Sequence, residues 1–94
     1  MKAKFAHQVS TFTDIPNIGP AMAKDFELIG IRTPADLKKK DALALYRKLC
    51  RMTKKRHDPC VLDTFIAAVD FMNGAPSRPW WYYTKDRKKN FPSI

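Results

Sequence analysis

The stretch Ile15-Pro16-Asn17-Ile18-Gly19-Pro20-Ala21-Met22-Ala23-Lys24 sets two prolines around an Asn-Ile-Gly turn and runs straight into a small-residue helix. A chain that turns this tightly and starts a helix at once presents backbone N–H groups at the helix N-terminus. The aligned peptide dipoles add partial positive charge there. That is chemistry for an anion, phosphate above all. Pro20 suits the first helical position, where no N–H is needed. The candidate donors are therefore the N–H groups of Ile18, Gly19 and Ala21, with Asn17 in the turn and Lys24 one turn into the helix. The same stretch also reads as a plain helix connection or a protein-docking motif.

Other chemistry-bearing residues are sparse. Cys50, His57 and Cys60 fall within eleven residues, but their spacing matches no common zinc module, and structural zinc takes four ligands. Cys60 lies at the start of a predicted helix near Arg56 and His57, where a thiolate is favoured, so a thiol sensor is a third, weaker reading, behind that of a buried, inert cysteine. Asp25, Asp63 and Asp70 fall at helical positions with no nucleophile or partner acid in view. No cofactor, metal or catalytic set is expected, and the chain reads as a non-enzyme.

Charge directs attention to polyanions. The 94 residues carry 18 Lys and Arg against 9 Asp and Glu, a net +9, which favours nucleic acid first and acidic membrane surfaces second. The excess is uneven. Residues 1–30 are balanced, residues 31–60 hold ten basic and three acidic side chains, and residues 75–94 hold five against one. Lys38, Lys39 and Lys40 are a second candidate phosphate contact, and Arg47, Lys48, Arg51, Lys54, Lys55 and Arg56 continue the basic run. No apolar run is long enough to span a membrane. Polar residues follow Met1-Lys2-Ala3-Lys4-Phe5 where a signal peptide needs an apolar core, so the chain reads as cytoplasmic.

The positioning elements are helical. Residues 1–10 read as a flexible lead-in. Thr11 and Asp14 form a capping-box pattern for a short helix ending near Ile15. A second helix runs from Pro20 to about Ile29, with Met22, Ala23, Phe26 and Ile29 at helical spacing and Gly30 closing it. Thr33-Pro34-Ala35-Asp36 opens a third, ending near Lys39. Asp41 caps a fourth over about 42–54, with Ala42, Leu45, Tyr46, Leu49 and Met52 as its apolar stripe. Asp58-Pro59 opens a fifth to about Asn73, whose inward side holds Leu62, Phe65, Ile66, Val69 and Met72. Residues 75–94 form a proline-rich, aromatic, basic tail without a clear period, packing back on the 11–74 domain. Trp80 and Trp81 are candidates both for a core plug and, if exposed, for stacking on unpaired bases.

The pattern Phe12-x-x-Ile15-x-Asn17-Ile18-Gly19-x-x-x-Ala23-x-x-Phe26 resembles the helix-hairpin-helix motif. The departure is Asn17, where that family usually has glycine; asparagine tolerates positive φ well. IPNIGPAMAKDFELIGIRTPADL, LYRKLC, DPCVLDTFIAAV and PWW, in order over about residues 10–87, resemble the small bacterial pathogenicity-locus or mitomycin-resistance helix-hairpin-helix proteins. The hairpin and third helix are also similar, more distantly, to the C-terminal domain of TfoX-type competence regulators. The resemblance implies an all-α, compact five-helix, SAM-like domain. Its hairpin binds DNA backbone without reading sequence, and a link to DNA damage or repair follows from the mitomycin label. Asn17, Ile18, Gly19, Ala21, Lys24, Lys38, Lys39 and Lys40 are the expected DNA-binding residues. A single hairpin anchors weakly, so self-association or a partner protein is expected to assist. The alternative is a module that docks a DNA-repair or regulatory protein.

Overall fold

The computed structural model describes residues 2–94, and among them there is no strand. Four α-helices form: α1 Pro20–Leu28, α2 Ala42–Thr53, α3 Pro59–Met72 and α4 Thr84–Asn90. Single 3-10 turns lie at Ala6–Gln8, Phe12–Asp14, Pro34–Leu37 and Trp80–Tyr83. No helix among the described residues is long and apolar enough to cross a membrane.

The five expected helices are thus corrected in two places. The first and third are 3-10 turns, because three or four residues between a cap and a stop cannot recover the cost of nucleating an α-helix. Their caps are as expected. Asp14 Oδ2 accepts from the N–H groups of Ser10 and Thr11, both at 3.0 Å. Asp36 Oδ2 accepts from those of Arg32 at 3.1 Å and Thr33 at 3.0 Å. The second correction is α4, which arises within the tail.

Side chains cap α2 and α3: Asp41 accepts from Leu43 N–H, and Asp58 from Cys60 N–H. Helices α1 and α3 end in the same way. Gly30 (φ 90°) and Gly74 (φ 108°) take the left-handed position after the last turn. The N–H of the following residue then reaches back, Ile31 to Phe26 C=O and Ala75 to Asp70 C=O.

The core is organised around α3, which is apolar on most of its circumference and packs on α2, the 34–37 turn and the 80–83 turn. Phe65, Leu62 and Ala68 are fully buried there with Phe26, Ile15, Ile18, Leu37 and Leu49. Phe12, Phe26 and Phe65 form a run of rings with centroids 5.4 and 4.9 Å apart. The buried face of α3 includes Phe71 and Ala67, whereas Ile66 and Val69 are only half-buried. Met52, placed in the α2 stripe by its spacing, is 48% exposed.

Two α3 carboxylates, seven residues apart on one face, fix the tail. Arg87 Nε and Nη2 donate to Asp63 at 2.8 and 3.2 Å, and Thr84 Oγ1 donates to the same carboxylate at 2.7 Å. Asp63 has no exposed surface and Arg87 is nearly buried. Tyr83 OH donates to Asp70 at 2.9 Å. The buried ring of the WWYY segment is Tyr83; Trp80 is half-buried and Trp81 is 62% exposed, so the expected tryptophan plug is a tyrosine.

Removing one member of a buried ion pair strands the other charge. Arg87→Met is expected to destabilise the protein by about 3–5 kcal/mol in urea denaturation, and Asp63→Leu in the same chain is expected to restore much of that loss. A second prediction concerns acid. The Thr11 N–H, helped by that of Ser10, holds the Asp14 carboxyl below the usual range. The Thr33 N–H does the same for Asp36, against some desolvation. Carboxyls depressed in the folded state stabilise it fully above about pH 4, the unfolded value, and that contribution is lost as pH falls through their folded values. The urea midpoint is expected to fall below pH 4, and to fall less in an Asp14→Asn/Asp36→Asn variant.

Candidate functional site

The turn before α1 is built from the core outward. Ile15, Ile18 and Phe26 are fully buried and anchor its two sides. Pro16 stops the preceding 3-10 turn, Asn17 takes φ 73°, and Gly19 is extended at φ −98°, ψ −177° before Pro20 opens α1. Asparagine's short side chain bonds locally and tolerates this left-handed geometry. Its amide also reaches across the fold, Nδ2 donating to Arg78 C=O at 2.8 Å.

The donors differ from expectation in two respects. Ile18 N–H is taken by Ile15 C=O at 3.1 Å, so it is not available to a ligand. The N–H groups of Gly19 and Ala21 have no partner among the described residues, and neither does that of Met22. Met22 was overlooked, although its place as the third residue of the helix marks it as an orphan donor. No side chain caps α1, in contrast to α2 and α3.

Gly19 itself is informative. Its backbone angles suit any residue, and a Cβ built there meets nothing within 4 Å. Neither backbone conformation nor internal packing requires a glycine. Lys24 is exposed and has no ion-pair partner among the described residues.

Beneath the turn lies Lys2, which the sequence left in the lead-in. Its Nζ donates to the carbonyls of Thr13 at 2.8 Å and Ile15 at 3.1 Å, and to that of Ile18. Partial burial lowers its pKa, opposed by the Asp14 charge. Main-chain carbonyls carry no sequence signature, so nothing in the residue pattern marks this cross-brace.

Lys38, Lys39 and Lys40 are exposed. They are held separately from the turn, Lys39 (φ 63°) donating its N–H to Asn73 Oδ1 at 3.2 Å. The two groups nevertheless flank one connecting segment. Asn73 holds the lysine loop and Arg78 holds Asn17, five residues apart and so within about 18 Å along the chain.

The cysteine expectation is corrected. Burial pushes the Cys60 thiol up, and the neighbouring Asp58 carboxylate adds to the shift, outweighing the opposing charge of Arg87. The thiolate expected at this helix start is therefore disfavoured. Cys50 accepts from His57 N–H at 3.5 Å, and His57 Nε2 is 2.8 Å from Thr53 Oγ1, so both take part in the α2–α3 connection. Among the described residues no three His, Cys, Asp or Glu side chains are grouped to hold a metal ion.

Comparison with known proteins adds two findings. The family model described as Cdd1, pathogenicity locus, matches residues 5–89. A mitomycin resistance protein, McrB of Streptomyces lavendulae, is 44% identical over 80 residues, covering 85% of this chain and 76% of that protein. No solved structure gives a significant match.

The turn geometry makes a prediction about Asn17. Glycine keeps the positive φ and loses only the bond to Arg78, whereas a β-branched residue is strained there. Asn17→Val is expected to be about 1–2 kcal/mol less stable than Asn17→Gly in thermal or urea unfolding.

Proposed function

The chain belongs to the Cdd1 pathogenicity-locus family, and from that premise we propose that it is a helix-hairpin-helix, SAM-like module that binds the DNA backbone without reading sequence. The 3-10 turn at Phe12–Asp14, the turn at 16–19 and α1 are the two arms and the bend of the hairpin. The N–H groups of Gly19, Ala21 and Met22 hold a phosphate at the positive end of α1, and Lys24 adds charge to the same or the next phosphate. Residues 38–40 widen the footprint. The relative's name connects it to mitomycin resistance, and we extend that link to this chain as a part in the response to DNA damage. The module acts by binding, without catalysis.

One observation carries this reading: Gly19 is a glycine that the fold does not need. The absent side chain leaves bare the surface beside the unpartnered donors, where an outside group can approach the backbone. The docking of a repair or regulatory protein is the second reading, favoured by the exposure of Trp81 and Tyr82, three and four residues beyond Arg78, whose carbonyl holds Asn17.

Gly19→Asp separates folding from binding. Aspartate is among the best N-cap residues and its carboxylate can take the free N–H groups, so stability is expected to hold or rise by a few tenths of a kcal/mol. The same carboxylate occupies the donors and repels phosphate. By fluorescence anisotropy with labelled DNA, affinity is expected to fall about tenfold or more, the worth of a charge-assisted hydrogen bond. Lys24→Ala is expected to lower the slope of log affinity against log salt by about 0.9. A folded Gly19→Asp variant that binds as tightly as wild type would place the DNA contact elsewhere and favour the protein-docking reading.

A further inference from the structure

We infer that Trp81 and Tyr82 form a base-stacking platform continuous with the Gly19 turn, and that the preferred ligand is DNA with unpaired nucleotides rather than continuous duplex. The inference rests on the hairpin reading for its phosphate contact and adds the substrate class.

Four observations carry it. Trp81 and Tyr82 are 62% and 55% exposed, the two most exposed large apolar side chains of the described residues. They sit on a pinned 3-10 turn. Tyr82 N–H bonds Pro79 C=O at 3.0 Å, and on the C-terminal side Tyr83, Thr84 and Arg87 are tied to Asp70 and Asp63. Trp80 meets Trp81 edge to face, centroids 5.6 Å apart, and the Arg78 guanidinium covers one face of the Tyr82 ring, 4.6 Å from its centre, which makes Trp81 the principal stacking surface. Arg78 C=O accepts from Asn17 Nδ2, so the platform begins within three residues, about 10 Å of chain, of a direct bond to the phosphate-facing turn.

These features together select a class of ligand. Aromatic faces held rigid in water offer stacking with little further loss of rotamer freedom. Every base has a π-face, but in a duplex those faces are already stacked on neighbouring pairs, so only an unpaired nucleotide can use the rings. Lys85, Lys88 and Lys89 follow the rings within eight residues of the chain and are exposed, so the segment suits a polyanion, while Arg78 is shared between the Tyr82 ring and Asp70, 3.9 Å away. A strand whose phosphate meets Gly19 and Ala21 has its neighbouring bases within reach of Trp81 and Tyr82.

The test compares a labelled single strand, a blunt duplex of the same sequence, and that duplex with a single-stranded overhang, by anisotropy at one salt concentration. Wild type, Trp81→Ala, Tyr82→Ala and Gly19→Asp are measured side by side. Wild type is expected to bind the single strand and the overhang at least tenfold more tightly than the blunt duplex. Trp81→Ala, with its exposed ring, is expected to unfold like wild type yet lose at least about fivefold on the single strand and overhang, with little change on blunt duplex. Gly19→Asp is expected to lose affinity for all three. Equal wild-type affinity for the three DNAs, or no effect of Trp81→Ala on the single strand, overturns the stacking platform. The hairpin reading then stands as long as Gly19→Asp still weakens binding. Absence of binding to any of the three overturns both and leaves the rings to a protein partner.

Discussion

A carboxylate with no exposed surface sits in the middle of α3, and the rest of the molecule is arranged to tolerate it. An isolated buried charge is strongly unfavourable, so Asp63 demands a cation and hydrogen-bond donors. Arg87 and Thr84 supply them, and they can do so only if residues 75–94 fold back along α3. That return path seats Tyr83 on Asp70, brings Arg78 against Asn17 and leaves Trp81 facing water. One buried ion pair thus decides which surface lies beside the turn at 16–19.

The turn itself is supported from three directions. Buried isoleucines hold its two sides, the Lys2 ammonium gathers its carbonyls from below, and the Asn17 amide ties it laterally to the tail. The N–H groups of Gly19, Ala21 and Met22 are left without partners among the described residues, and the surface at the Gly19 Cα is open. Under the proposed reading this frame lowers the ordering cost of holding a phosphate.

Much of this was legible in the residue pattern where the causes are local. Caps at Thr11, Thr33, Asp41 and Asp58, stops at Gly30 and Gly74, and the positive φ of Asn17 all depend on a few neighbouring residues, and all are present. What was missed depends on distant groups. Helix α4 is polar almost all round and shows no apolar stripe; it exists because Arg87 is held by Asp63, 24 residues away. The loss of Ile18 as a donor follows from how tightly the chain closes on Ile15. Lys2 and Arg78 meet main-chain oxygens, which look the same behind every side chain. At Cys60 the inert reading is the one the surroundings favour, because burial and then the cap carboxylate of Asp58 outweigh the helix start and the nearby cations that the sequence shows.

The Asp63–Arg87 pair also couples the tail to the core thermodynamically. Any opening that lifts residues 84–90 off α3 takes Arg87 and Thr84 from the Asp63 carboxylate at the same time. The carboxylate must then take up a proton or admit water. Detachment of the tail therefore loosens α3 as well, and the aromatic face beside the 16–19 turn is only as persistent as the core beneath it.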